Sequence, residues 1–564
     1  MKKQRWPLIV LGGLVTLAAL KRIVTRRNLA HKRKMIEQAG QRRKRTVDVD
    51  IQMTIKLPEV PETKRQQILN STILELQSGL DDKSFTCVEI FLSFTHELRT
   101  QSAKYNSIVD INVSYGLKRA EKLDLELTQG KKRSQLHGIP ISVKDMIAVK
   151  NMLSSYGCGN LSQNIIDSDA MLVKILKKKG AVIYVKSSQS QNAQSYETVN
   201  IISGVTTHPK DCDRNAGGSS GGEAILMSTK GSCIGLGTDI GGSLRFPALS
   251  CGIYTLKPTS NRISRNGPLP LNDYPSLKNS WGPLSRSVDD LVVFCQEIFN
   301  TKPHASLPFV PWSQDDFSND KPLTIGYCLG SSYWPIPECM KKAIHIAKNA
   351  LENKGHVLVE FILDNEIKEA NELGLPMYAY DAEDQARVFP ELPLEHMWKM
   401  NKALETSPWL CWVYEKILRR FKGEKESFYY KYLSHNTCCD YIDSITQVKL
   451  FNKRFIEKVR QSGIDVLLFP YPFPAIRHNT SADLYPGFAY MSIFNLLDFP
   501  VGSVPICEIH DDEQKYDVDC KEIWAQAVKK TMQGSSGLFT GVQVAGMPFR
   551  EEVVLRVMKD IEGR

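Results

Sequence analysis

Among the thirteen cysteines of this 564-residue chain, no two are spaced C-x-x-C and the count is odd. Neither a zinc site nor a disulfide framework is indicated, and a reducing compartment fits that usage. A phosphate-binding G-x-x-x-x-G-K-[ST] loop is also missing, because no lysine follows the glycine-rich stretches. The dinucleotide fingerprint G-x-G-x-x-G fails as well, since Ile240 stands where its third glycine belongs. Nucleotide binding is thereby disfavoured. The body of the chain lacks a basic excess: residues 1–45 hold fourteen Lys or Arg against Glu37 alone, and residues 46–564 are left at −3. A nucleic-acid partner needs basic charge on the body, so none is expected. There is no internal repeat and no low-complexity segment beyond the basic arm, and a chain 42% hydrophobic is too apolar to be a disordered tail. Four N-x-S/T sequons, at Asn70, Asn112, Asn160 and Asn479, matter only for a luminal body.

What is present begins at the N-terminus. Trp6 to Leu20 is an uncharged run of fifteen residues, short of the ~20 a spanning helix needs. Snorkelling of Lys21 and Arg22 would extend it to Val24. An interfacial helix and a cleaved signal peptide are the alternatives to a crossing. Eleven Lys or Arg lie between Lys21 and Arg45 against three ahead of the run, which holds the following domain in the cytosol and suits anionic head groups. The expected division is therefore a membrane anchor with a basic arm over 1–45, single-pass or interfacial, and a globular body over 46–564.

Residues 62–130 carry helical periodicity, as in Ile68, Leu69, Ile73 and Leu76, then Val88, Phe91, Leu92 and Leu98, with Ser84 expected to cap the second run. After Gly138 the pattern changes to a short strand, Ile139 to Val143, and then to helices alternating with β-rich runs such as Ala181 to Val185 and Val466 to Phe469. That alternation predicts an α/β layered core. Adjacent Cys438 and Cys439 read as ordinary small residues on a helix.

Two glycine and serine runs need a cause. Residues 217–222 read Gly-Gly-Ser-Ser-Gly-Gly and residues 235–247 read Gly-Leu-Gly-Thr-Asp-Ile-Gly-Gly-Ser-Leu-Arg-Phe-Pro. Glycines allow close approach to backbone N–H groups, as an oxyanion hole requires. Gly217, Ser219 and Gly221 satisfy G-x-S-x-G, which would make Ser219 a nucleophile needing a later acid and histidine. That reading leaves the run around Ser243 unexplained, and two glycine-rich loops with incidental serines compete with it. Lys144 follows an apolar strand, where α/β folds place functional groups. A solvated charge is its plainest reading. Desolvation would instead lower its pKa and yield a neutral, proton-accepting amine, and Ser-Lys chemistry needs no histidine.

Gly138-Ile-Pro-Ile-Ser-Val-Lys-Asp145, the Gly217 to Glu223 run, Gly237 to Ala248 and Leu256-Lys-Pro-Thr259 together resemble the amidase signature family of serine hydrolases. Asp465-Val-Leu-Leu468, Leu497 to Gly502 and Gly537 to Gln543 extend the resemblance over roughly residues 80–560. It implies the amidase signature fold, a large mixed twisted β-sheet sandwiched between α-helices, here with an N-terminal membrane helix. It also implies a Ser-Ser-Lys triad: Lys144 as base, Ser219 as bridging serine beside a cis peptide, and Ser243 as acylated nucleophile. The backbone N–H groups of Ile240, Gly241, Gly242 and Ser243 match the family's oxyanion hole. Asp239 and Arg245 more plainly brace that loop than react. No cofactor and no metal are implied.

The N-terminal segment and an apolar later stretch bring the chain nearest to the members that cleave fatty acid amides. Residues 397–421 interleave Trp398, Trp409 and Trp412 with Lys399, Lys402, Lys416, Arg419 and Arg420, which suits a membrane-binding cap at the mouth of an acyl channel. A pair of core helices broken at Pro408 is the competing reading. By the resemblance, Ala193, Gln194, Met491, Asn495 and Trp524 fall on the channel wall. The run Gln191-Asn192-Ala193-Gln194 is polar where those members tend to be apolar, so chain-length preference does not follow. The expected activity is hydrolysis of a lipid amide, an N-acylethanolamine or primary amide, at a membrane, by a homodimer on analogy alone. Hydrolysis of small or aryl amides and non-catalytic lipid-amide binding are the alternatives.

Overall fold

The structure is a computed structural model that describes residues 34–268, 277–302, 307–388, 408–422, 438–518 and 522–563, with Glu391, Leu394, Ser427 and Tyr430. The expected anchor, Trp6 to Val24, lies outside the described residues, as do residues 397–407 of the expected cap. Among the described residues no helix is long and apolar enough to cross a membrane.

The strands are β1 (Ile108–Ile111), β2 (Ile141–Lys144), β3 (Val185–Ser187), β4 (Val199–Asn200), β5 (Gly204–Val205), β6 (Ile234–Asp239), β7 (Tyr254–Lys257), β8 (Ser280–Ser285), β9 (Thr324–Tyr327), β10 (Val357–Glu360), β11 (Val466–Pro470), β12 (Val501–Glu508) and β13 (Phe539–Gly546). Eleven form one mixed sheet in the order β1-β3-β2-β6-β8-β7-β12-β13-β11-β9-β10, and β4 pairs with β5 apart from it. Successive strand side chains point to opposite faces. Along β11, Val466 and Leu468 enter one hydrophobic core while Leu467 and Phe469 enter another. The sheet therefore carries a core on each face, as the layered expectation required.

Helices that bear on the site are α1 (34–53), α2 (Cys87–Thr100), α3 (Gly221–Ser228), α4 (Arg245–Cys251), α5 (Asp364–Val388), α6 (Pro408–Lys422), α7 (Ala489–Leu496) and α8 (Ile523–Met532). Thr86 rather than Ser84 caps α2, through a capping box with Glu89. Ser84 is drawn back into the preceding turn, its N–H to Asp82 and its hydroxyl to the Gly79 carbonyl, and so cannot reach the helix start. The strand expected over Ile139 to Val143 begins two residues later and includes Lys144. Pro408 opens α6, where a first-turn residue has no intrahelical N–H bond to lose; the segment before it, on which the two-helix reading depends, lies outside the described residues.

β2 and β6 run parallel, with Val143 beside Leu236. Their carboxyl ends therefore emerge together, the usual place for chemistry in such sheets. Lys144 closes β2 and Thr238 lies near the end of β6.

Candidate active site

Lys144 is completely buried. Its Nζ lies 2.7 Å from Ser219 Oγ and 2.8 Å from Thr238 Oγ1, with no carboxylate paired to it among the described residues. An ammonium there has given up bulk water for two hydroxyls. Burial accordingly pulls its pKa from the ordinary 10.5 down to about 7, against the opposing pull of Asp239, Glu223 and Asp145. The Thr238 hydroxyl in turn reaches Met146 Sδ at 3.5 Å.

Ser219 follows a cis Gly218–Ser219 bond and is also fully buried, whereas Ser243 retains 9% exposure. The N–H of Ser220 donates to the Ser243 carbonyl at 3.2 Å, so the two glycine-rich loops are joined beside Lys144. Lys144 and Ser219 are thus closed off and Ser243 keeps a small exposure. Glu223, in the first turn of α3, accepts a hydrogen bond from Ser142 Oγ at 2.6 Å, and burial raises its pKa to about 7.

The loop from Ile240 to Ser243 is braced from below. Asp239 accepts from the N–H groups of Gly242 at 2.9 Å and Leu244 at 3.1 Å, and is gripped twice by Arg245, at 3.0 Å each. Burial alone would raise the Asp239 carboxyl, but the Arg245 charge and these bonds hold it well below the carboxylate range. Arg245 also donates to Gln543, Asn495 and the Met491 carbonyl. Asp239 and Arg245 are thus structural. Gly242 has φ +112°, and a Cβ there would stand 2.6 Å from Met491 Sδ; one on Gly241 would strike the Phe488 ring. Neither position has room for a side chain. The Gly242 N–H is committed to Asp239, while those of Ile240, Gly241 and Ser243 find no acceptor among the described residues.

The expected wall residues divide. Met491 packs on Gly242. Trp524 is buried edge-on against Trp334, and its indole N–H has no acceptor among the described residues. Gln194 is buried with an unbonded side-chain nitrogen, next to half-buried Ala193 at φ +58°. Asn495 departs from expectation: its amide bonds Asp239, Lys278 and Arg245, so it belongs to the brace and its polar atoms are spent. Gln191 is likewise occupied, donating to Glu391 at 2.9 Å and accepting from the Leu394 N–H at 3.0 Å. Sequence reasoning missed Thr238, because its proximity to Lys144 depends on which strands pair.

A family model described as Amidase matches residues 89–555. A relative named fatty-acid amide hydrolase 1, from Sus scrofa, is 30% identical over 78% of this chain and 77% of its own. One named fatty acid amide hydrolase 1, from Caenorhabditis elegans, is 27% identical over 94% of this chain and 95% of its own. A solved structure titled fatty acid amide hydrolase superposes with a TM-score of 0.78 at 24% identity, covering 94% of each chain; at that identity the likeness is one of fold.

Proposed function

The chain belongs to the amidase signature family of hydrolases, and on that premise we propose that it is a membrane-associated serine hydrolase cleaving fatty acid amides to free acid and amine. The observation that carries this reading is the Lys144 amine, buried without a carboxylate and within hydrogen-bond reach of Ser219.

In the proposed cycle, neutral Lys144 accepts the Ser219 hydroxyl proton while Ser219 takes that of Ser243, and Ser243 Oγ bonds to the amide carbon. The N–H groups of Ile240, Gly241 and Ser243 receive the developing oxyanion, each donor worth about 3 kcal/mol of barrier. Gly242 shapes the loop. The relay then runs back, protonating the amine nitrogen as the C–N bond breaks, and water hydrolyses the acyl ester.

Long-chain lipid amides are the proposed substrates. Supporting this, the relatives bear that name, and α6 exposes Trp409 at 69% and Phe421 at 80%, with Trp412, among Lys416, Arg419 and Arg420. An aromatic and basic face of this kind suits a lipid head-group layer. The N-terminal anchor, the cytosolic placement of the body and a homodimer are parts of the same proposal. Deleting residues 1–28 should lower membrane retention, and sedimentation should return twice the chain mass. The activity is tested with a fluorophosphonate, which should label wild type and not Ser243→Ala; full turnover by Ser243→Ala would overturn the mechanism. In detergent, a long-chain N-acylethanolamine should be cleaved faster than a short aryl amide. The reverse order favours the small-amide reading, to which the polar Gln191 to Gln194 run lends support.

A further inference from the structure

The charges of Asp239, Glu223 and Asp145 all bear on the Lys144 amine, and two of these carboxyl groups are firmly held. Asp239 is gripped by Arg245. Asp145 accepts from the Ser155 N–H at 2.9 Å, the Ser155 hydroxyl at 2.6 Å and the Gly157 N–H at 2.9 Å. Glu223 is different. It is completely buried, and its neighbours are hydroxyls: Ser142 Oγ donates to it at 2.6 Å and Ser187 stands nearby. No cation is paired to it among the described residues. A buried carboxylate supported by so little is the easiest of the three to protonate. Burial accordingly raises the Glu223 carboxyl to about 7, level with Lys144, so the two change charge over one range of pH.

The strands build this placement. Ser142 and Lys144 are two residues apart on β2 and therefore share a face, ~7 Å apart along it. Beside Ser142 in the parallel register stands Gly235 of β6, and a Cβ there would strike Glu223 Oε2. The missing side chain leaves the room in which the carboxyl rests, one strand repeat from the amine. Lys186 is the other cation whose field reaches Glu223. It neighbours Val143 rather than Lys144 in the register of β3 on β2, which turns it to the opposite face, and its Nζ is bound to the Ile147 carbonyl and Ser154 Oγ. Glu223 is therefore the carboxyl that shares the Lys144 face of the sheet and has no cation of its own.

We infer that Glu223 is a positioning residue for acylation: its carboxylate, acting across one strand repeat, raises the proton affinity of Lys144 and stabilises the ammonium that forms there. The inference rests on the hydrolase reading above and adds to it a group that touches neither the substrate nor Ser243. In that cycle the proton of Ser243 ends on Lys144 by way of Ser219, so a positive charge appears in a fully buried place. Such a charge is governed by its neighbours, because little solvent is there to screen it.

The test follows the rate at which a short ethyl fluorophosphonate labels Ser243 in the full chain, from about pH 5 to 10. Wild type should show a rate that rises with pH to a plateau. Glu223→Gln keeps the shape and removes the charge. Its rise should come about one pH unit lower, while its plateau rate falls several-fold because the amine is then a weaker base. Ser142→Ala takes away the donor, favours the protonated acid, and should move the rise in the same direction by less. A side chain that only fills space would lower the plateau and leave the rise in place, so a rise unmoved in both variants overturns the inference. A rise displaced upward in Glu223→Gln, toward the ordinary lysine value of 10.5, overturns it too, since that is the mark of admitted water. If Glu223→Gln does not fold, Ser142→Ala decides. Wild type left unlabelled at Ser243 sinks the hydrolase reading itself, whereas labelling with an unmoved rise removes only this inference.

Discussion

Lys144 and Arg245 are both completely buried cations, one closing β2 and the other opening α4, yet they have been given opposite company. Arg245 has a two-point contact with Asp239 and three further acceptors. Lys144 has two hydroxyls. Burial penalises both charges, and the partners decide which charge survives. Residue type completes the contrast: a guanidinium cannot give up its proton in a protein, whereas an ammonium can. The same degree of burial therefore leaves a fixed ion pair in one place and, in the other, an amine able to serve as the base of the proposed mechanism.

The sharpest way to break this comparison is to replace each cation with methionine. Lys144→Met should lower hydrolysis by about 10³-fold or more. It should also raise the unfolding midpoint, since it removes a buried amine whose depressed pKa costs roughly 3–5 kcal/mol at acidic pH. Arg245→Met should do the opposite to stability, leaving Asp239 charged and unpaired at a cost of about 3–5 kcal/mol. Denaturant unfolding of the two variants checks the signs, and two shifts in the same direction would refute the contrast.

A smaller effect lies in pH. The reactive amine is the neutral one, so kcat/KM should rise about tenfold per unit at pH values below about 7 and level off above it. Stability follows the same group. The folded state binds the Lys144 proton less tightly than the unfolded chain, so the penalty is complete below about 7 and fades as pH rises toward 10.5. Wild type should therefore gain stability relative to Lys144→Met across that window, as paired unfolding curves would record. The smallest effect belongs to Thr238. Thr238→Val removes one of the two hydroxyls and should slow fluorophosphonate labelling several-fold, while Thr238→Ser should retain the rate.

The family was legible from the motifs around Lys144, Ser219 and Ser243, but the residues alone read Lys144 most plainly as a solvated charge and left the run around Ser243 without a cause, so the expected roles came from the resemblance. The Asp239 and Arg245 brace was also legible as structure, from two charges flanking a loop that must hold one shape. Asn495 was misplaced because a position in a wall segment does not say which way an amide turns, and here it turns to Asp239. Thr238 depends on the pairing of β2 with β6. Contacts between segments so far apart leave no local periodicity to read. The cap of α2 failed for a local reason: Ser84 is the better cap by residue type, but the turn at Asp82 holds it back and Thr86 has Glu89 three residues on to complete a capping box.

The brace has a consequence for how the protein is made. Lys144, Ser219 and Ser243 are all synthesised early, but the atoms that hold the Ser243 loop in place include Gln543 and Asn495, and Arg214 is anchored on the carbonyls of Ala475, Thr531 and Gln533. Chains emerge from the ribosome N-terminus first. A nascent or prematurely ended product therefore holds Lys144, Ser219 and Ser243 without the frame that fixes the Ser243 loop, and on the proposed mechanism it stays inert until the last strand, which carries Gln543, has been laid down.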